Sequence, residues 1–273
     1  MCQISFPRLS YLPLLLPRLL DFFGAFLIAD AADVSPWDGY LTYDNVPLKW
    51  HLPVGLLYDI YALSSQNPES QLPLPFKLTL HFSDPSSASL GGTTNLIKPD
   101  PVVLHDSFIN SVKEADFLRS GTAKPIMSLS AADSKALWSS TKNNDLETHS
   151  KVYNSLLPNQ FRNIPMRVYL PSSPNQDPSK AQIKVLQSHV PPFIAPASPN
   201  PATQRVPAQG QPQTLGTALH TMLPNLFPSR RTPILGRPIL HGAAVPMGAS
   251  LEELARWACY ADGWLGVVIV MNS

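Results

Sequence analysis

Ser250-Leu-Glu-Glu-Leu-Ala-Arg-Trp-Ala-Cys-Tyr-Ala-Asp-Gly-Trp-Leu-Gly-Val-Val-Ile-Val-Met271 holds a helix start, a turn and a strand in succession. Ser250 with Glu253 three residues on is a capping box, which predicts a helix running to Tyr260. Leu251, Leu254, Ala255, Ala258 and Cys259 fall on one face of that helix, so it lies on an apolar surface. Asp262-Gly263 is a turn pair, and the unbroken apolar run from Trp264 to Met271 suits a strand covered on both faces. Such a strand needs neighbours, and they must be sought upstream.

Two candidates stand at the right distance. Ile164-Pro-Met-Arg-Val-Tyr-Leu170 alternates, with Ile164, Met166, Val168 and Leu170 on one face, and Gln182 to Val190 supplies a partner strand across a polar turn. Thr214 to Phe227 places Leu215, Leu219, Met222, Leu223 and Leu226 on one helical face, and Arg237 to Val245 reads as extended. Two strands, a helix, an extended stretch, a helix and a strand follow the order of a ubiquitin-like β-grasp. Pro191 to Gln213 interrupts this order with a polar, proline-rich run that predicts a disordered insertion.

Before this unit, Val102 to Leu157 reads as helical. Phe108, Val112, Ala115 and Leu118 form an apolar stripe, and Lys113 lies at its edge, with Ile109, Asp116 and Phe117 at helical distance. A lysine there can lay its stem on apolar surface while its amine reaches water. Gly121 closes this helix and Pro125 prevents its simple continuation. Ser130-Ala-Ala-Asp133 caps a second helix through Trp138, and Leu146, His149, Tyr153, Leu156 and Leu157 mark a third. The three fit a small bundle between two larger units.

The amino-terminal part repeats the first pattern. Cys2 to Phe6 predicts a strand, Ser10 to Phe26 a helix, Tyr40 to Lys49 one or two strands, and Trp50 to Tyr61 a helix with Pro53 in its first turn. Phe76-Lys-Leu-Thr-Leu-His-Phe82 alternates as a strand. The apolar stretch Leu9 to Ala32 is cut by Arg18 and Asp21 into runs too short to span a membrane, and its prolines suit a short helix better than a cleaved signal.

Composition narrows the function. Lys plus Arg total 20 against 19 Asp plus Glu, a net charge of +1, which gives no footing for nucleic acid as a partner. Charged residues make up only 14% while prolines number 30, so loops occupy much of the chain. The two cysteines, Cys2 and Cys259, belong to no metal-ligand pattern, and no phosphate loop or cofactor motif is present. Cys259, His241 and Asp262 are the one candidate nucleophile, base and orienter, but Cys259 shares the apolar helix face and reads as a small buried residue. Trp264-Leu-Gly-Val267 has the spacing of a peptide that binds modifiers of the autophagy protein 8 kind, and it too reads as core. Arg230, Arg231 and Arg237 are the tightest basic group, suited to a solvated loop or to contact with anionic lipid.

Several phrases resemble the autophagy protein 5 family. PRLSYLPLLLPRLLDFF (7–23), VPLKWHLPVGLLYDIY (46–61) and KLTLHFSD (77–84) resemble its first ubiquitin-like domain, and VLHDSFINSVKEADFLRSGTAKPIMSLSAADSKALW (103–138) its central segment. RVYLP, TLGTALHTMLP and ILHGAAVPMGASLEELARWACYADGWLGVVIV resemble its second ubiquitin-like domain. Family members begin with a further helix and strand, so the first β-grasp here is expected to lack its first strand. The expected fold is α+β: two ubiquitin-like β-grasp domains, 1–100 and 161–273, flank a helix-rich domain at 101–160, with the insertion around 191–213.

The resemblance implies a non-catalytic scaffold without a cofactor. Lys113 would be the isopeptide acceptor for autophagy protein 12, delivered by the pathway's conjugating enzymes. With autophagy protein 16, the conjugate would promote lipidation of autophagy protein 8, in the cytoplasm and peripherally at the preautophagosomal membrane. A ubiquitin-like adaptor that is never conjugated, and a thiol hydrolase using Cys259, are the alternatives.

Overall fold

The computed structural model describes residues 2–27, 34–63, 74–82, 98–170, 183–194 and 210–272. In the first unit, a 3-10 turn at Leu12–Leu15 leads into α1 (Leu16–Phe23) and a second turn at Gly24–Phe26. The single helix expected over 10–26 is thus broken, because Pro13 and Pro17 each supply no N–H to the ladder. β1 (Tyr40–Tyr43), β2 (Val46–Pro47), α2 (Val54–Tyr58) and β3 (Thr79–His81) follow, with α2 running on as a π-helical turn at Asp59–Leu63. Their strands pair in the order β2-β1-β3.

Cys2 to Phe6, expected as a strand, forms none, although its side chains alternate between half-buried and exposed. The segment after it has a different task. The carbonyls of Ser10 and Arg8 accept the N–H groups of Val54 (2.8 Å) and Gly55 (2.7 Å), which open α2 and have no intrahelical partner. Pro53 is the N-cap of α2 rather than a member of its first turn.

The middle holds four helices rather than three: α3 (Pro101–Ser120), α4 (Lys124–Met127), α5 (Ala131–Asn143) and α6 (Leu146–Leu156). Ser130 Oγ accepts from Asp133 N–H (3.0 Å), the expected cap of α5. Pro125 sits inside α4, in the first turn, where its missing N–H costs nothing.

The second unit comprises β4 (Ile164–Leu170), β5 (Lys184–Val190), β6 (Phe193–Ile194), β7 (Gln211–Pro212), α7 (Leu215–Met222), β8 (Gly236–Leu240), β9 (Ala243–Ala244), α8 (Leu251–Trp257) and β10 (Leu265–Met271). Its sheet runs β5-β4-β10-β8-β9. β10 lies parallel to β4 and antiparallel to β8, so it is central, and Leu265 to Val270 are all buried. The proline-rich run is regular at its margins: Phe193 and Ile194 pair with Pro212 and Gln211, while 195–209 lie outside the described residues.

Leu16, Leu41 and Leu56 of the first unit share one apolar cluster with Ile164, Val168, Leu219 and Val268 of the second. The two ubiquitin-like units therefore pack on each other directly, and the bundle, with its own core of Leu104, Phe108, Val112, Leu137 and Leu156, lies alongside them. Among the described residues no helix is long and apolar enough to cross a membrane.

Gly216 shows how tightly α7 seats. A Cβ there would meet the backbone carbonyl oxygen of Arg230, whereas one at Gly248 would meet nothing within 4 Å. Gly216→Ala should lower stability by about 1–3 kcal/mol despite alanine's better helix propensity, and Gly248→Ala should leave it within about 0.5 kcal/mol. Urea unfolding of the two variants checks this.

Candidate functional site: the lysine helix and its seat

Lys113 lies near the middle of α3, a helix of 20 residues with a stop at each end. Asp100 accepts from the N–H groups of Val102 and Val103, both at 2.8 Å. Pro101 occupies the first turn, and Gly121 ends the helix in the left-handed region at φ +77°. The helix starts earlier than the stripe alone suggested, because its first turn is written by the Asp-Pro cap rather than by apolar spacing.

Its inner face carries Leu104, Phe108, Val112 and Ala115, all buried. Burying the Leu, Phe and Val side chains stabilises by about 1.5–3 kcal/mol each, against about 1 kcal/mol or less for an exposed ion pair, so apolar packing holds the helix down. Leu118, expected on this face, is only half-buried, and Arg119 takes the buried place at 2% exposure.

Polar contacts fix the helix's rotation and register. Trp264 Nε1–H donates to the Ser111 carbonyl (3.1 Å), and Ser111 Oγ donates to Asp262 Oδ2 (2.8 Å). The Arg167 guanidinium stacks over the Trp264 ring at 3.8 Å and donates to Ser111 Oγ (3.1 Å), Asp262 (3.4 Å) and Glu114 (3.2 Å). About two turns on from Ser111, buried Arg119 donates to the Gly263 carbonyl and to Tyr153 Oη, both at 3.0 Å, so it ties α3 to the turn before β10 and to α6. Gly263 holds that turn at φ +84°.

Lys113 is half-buried on the other side of the helix, and its acidic neighbours are engaged elsewhere. Glu114 pairs with Arg167. Asp116, fully buried, accepts from Ile126 N–H (3.1 Å) and Ser120 Oγ (3.4 Å), and burial raises its carboxyl above the usual range. Among the described residues no hydrogen bond or ion pair takes up the Lys113 amine. Phe117, one turn on from it, is 55% exposed.

A cleft of about 440 Å³ opens where the three units meet, walled by Lys49 and His51 of the first unit, Ser107 and Ser111 of α3, and Arg167 and Tyr169 of β4. Lys113 does not line it.

The remaining candidates are placed otherwise. Cys259 donates its thiol to the Ala255 carbonyl (3.2 Å), and burial pushes its pKa up to about 12. His241 Nε2 is engaged with the Ala258 carbonyl (2.9 Å), so neither the protonation state nor the contacts of a thiol nucleophile are met. Trp264, Leu265 and Val267 are buried, so the Trp-Leu-Gly-Val spacing is core. Arg230 and Arg231 are exposed, but Arg237 belongs to β8 and is half-buried. No group of three or more His, Cys, Asp or Glu side chains suited to a metal ion occurs among the described residues.

The seat itself is not legible in the local sequence pattern. It leaves one signal there: Arg119 falls four residues after Ala115 and seven after Val112, a charged residue in register with a buried stripe.

Two ubiquitin-like units packed on each other, with a helical bundle alongside and one of its helices clamped to the second unit, define a protein of the ubiquitin-like class. Three domain families match the chain: the autophagy protein ATG5 UblA domain at residues 1–82, its alpha-helical bundle region at 101–159 and its UblB domain at 163–269. Autophagy protein 5 of Aspergillus clavatus is 50% identical over 98% of this chain and 87% of its own, and that of Aspergillus terreus is 49% identical with the same coverage. The crystal structure of Kluyveromyces marxianus Atg5 matches the fold with a TM-score of 0.70 at 21% identity, over 98% of this chain and 86% of that one. The chain belongs to the autophagy protein 5 family.

Removing the buried guanidinium would strand the Gly263 carbonyl and the Tyr153 hydroxyl. Arg119→Met should cost about 2–3 kcal/mol of stability, and Arg119→Lys, which lacks the planar fork, should recover only part of it. Thermal unfolding of the pair measures both.

Proposed function

We propose that the chain is the acceptor of autophagy protein 12, linked through an isopeptide bond at Lys113, and that with autophagy protein 16 the conjugate promotes lipidation of autophagy protein 8. Membership of the family supports a role in autophagy. The observation that carries the residue assignment is the freedom of the Lys113 amine on a helix whose neighbouring carboxylates, Glu114 and Asp116, are engaged elsewhere.

In the transfer step, the neutral amine attacks the thioester carbonyl that joins the modifier's terminal glycine to the cysteine of a conjugating enzyme. The C–N bond forms, the C–S bond breaks, the thiolate leaves on the enzyme, and the amine's proton passes to a base of that enzyme. The acceptor supplies reach and a fixed backbone, and no nucleophile beyond the amine. The conjugate thus acts as the non-catalytic part of a ligase-like assembly, working in the cytoplasm and peripherally at the preautophagosomal membrane.

Reconstitution with the modifier and its conjugating enzymes tests this. The wild-type chain should give a slower-migrating covalent product, Lys113→Arg should give none, and Cys259→Ser should give as much as wild type. Product from Lys113→Arg would overturn the assignment, and no product from any form would favour an adaptor that binds without being conjugated.

A further inference from the structure

Between Asp177 and Glu252 the chain contains no acidic residue, yet Lys180, Lys184, Arg205, Arg230, Arg231 and Arg237 fall within this stretch. For a protein with a net charge of only +1, that is a strongly one-sided segment. It reaches the surface with apolar company. Ile234 is 54% exposed, Leu235 44% and Met271 55%. Met271 pairs with Gly236, the residue after Leu235, so the three side chains belong to one end of the sheet. Arg230 and Arg231 are exposed at the start of the same loop, and neither has an acidic partner among the described residues.

The loop is held in shape. Asn272 N–H donates to the Leu235 carbonyl (3.0 Å), and Asn272 Nδ2 donates to the carbonyls of Pro233 (3.1 Å) and Ile234 (2.9 Å). At the other end, Ser229 Oγ accepts from the N–H groups of Arg231 (3.2 Å) and Thr232 (3.1 Å). The patch is therefore preformed, and binding through it orders little that is not already ordered.

We propose that the Arg230–Leu235 loop and Met271 form a docking patch for an anionic lipid surface. Two guanidiniums with no local competitor suit lipid phosphates, and three aliphatic side chains beside them suit the boundary between headgroups and acyl chains. An acidic peptide would satisfy the arginines but leave the aliphatic side chains in water, so the combination favours lipid. This deepens the peripheral membrane contact of the reading above and rests on it.

Sedimentation of the unconjugated chain with phosphatidylcholine vesicles, with and without phosphatidylserine, tests the patch independently of Lys113. Binding should require phosphatidylserine and fall with added salt. Arg230→Glu with Arg231→Glu should lower the partition coefficient at least about tenfold. Ile234→Ser with Leu235→Ser should lower it at both low and high salt. Both double variants exchange exposed side chains, and melting curves matching wild type would show that they fold. Wild-type binding by both variants would overturn the patch while leaving membrane contact elsewhere on the chain. No binding by wild type to either vesicle would overturn the membrane reading with it. Binding to a polyglutamate peptide but not to vesicles would replace lipid by an acidic protein partner. None of these results bears on the isopeptide bond, which the conjugation assay reads separately.

Discussion

The stacking of Arg167 on Trp264 is the contact on which the site depends. Trp264 immediately precedes the central strand of the second sheet, and Arg167 projects from the parallel strand beside it. Together with Asp262 they present a donor, an acceptor and a cation to Ser111 and Glu114 on one face of α3. A helix held by apolar packing alone can slide or roll at small cost. Three polar contacts around Ser111, two residues before Lys113, remove that freedom.

The same contacts dispose of the charges around the lysine. Glu114 is drawn towards Arg167 and Asp116 is turned into the bundle to hold α4, so neither neutralises or tethers the amine. The geometry leaves Lys113 on a fixed stretch of backbone with no polar partner for its amine among the described residues. Burial treats the other reactive side chain in the opposite way: the Cys259 thiol is kept protonated and bonded to its own helix. The Lys113 amine is left without a partner among the described residues, while the Cys259 thiol is withdrawn.

What the sequence made legible was local. The Ser250 and Ser130 caps, the Gly121 stop, the alternation of Ile164 to Leu170 and the buried run to Met271 each depend on residues within a few positions of one another. Where prolines cut α1, or where α2 unwinds into a π-helical turn, the apolar period continued while the backbone did not. Phe76 to Phe82 alternates throughout, yet only Thr79–His81 pairs, because β1 offers it just three partners. The seat of the lysine helix lay beyond reach for a plainer reason. Ser111 and Asp262 are 151 residues apart, and Asp262 reads locally as a turn residue and Trp264 as core. The family resemblance could point to Lys113, but not to the residues that hold its helix.

Hydrogen exchange along α3 tests the clamp most directly. In Arg167→Ala, the Glu114 and Asp262 carboxylates lose their shared cation and the Trp264 ring its stacking partner. Faster exchange is expected for the amides from Ser111 to Ser120 with β8 unchanged, and partial restoration in Arg167→Lys. Unchanged protection of α3 in Arg167→Ala would contradict it and leave apolar packing and the Arg119 contacts to fix where Lys113 stands.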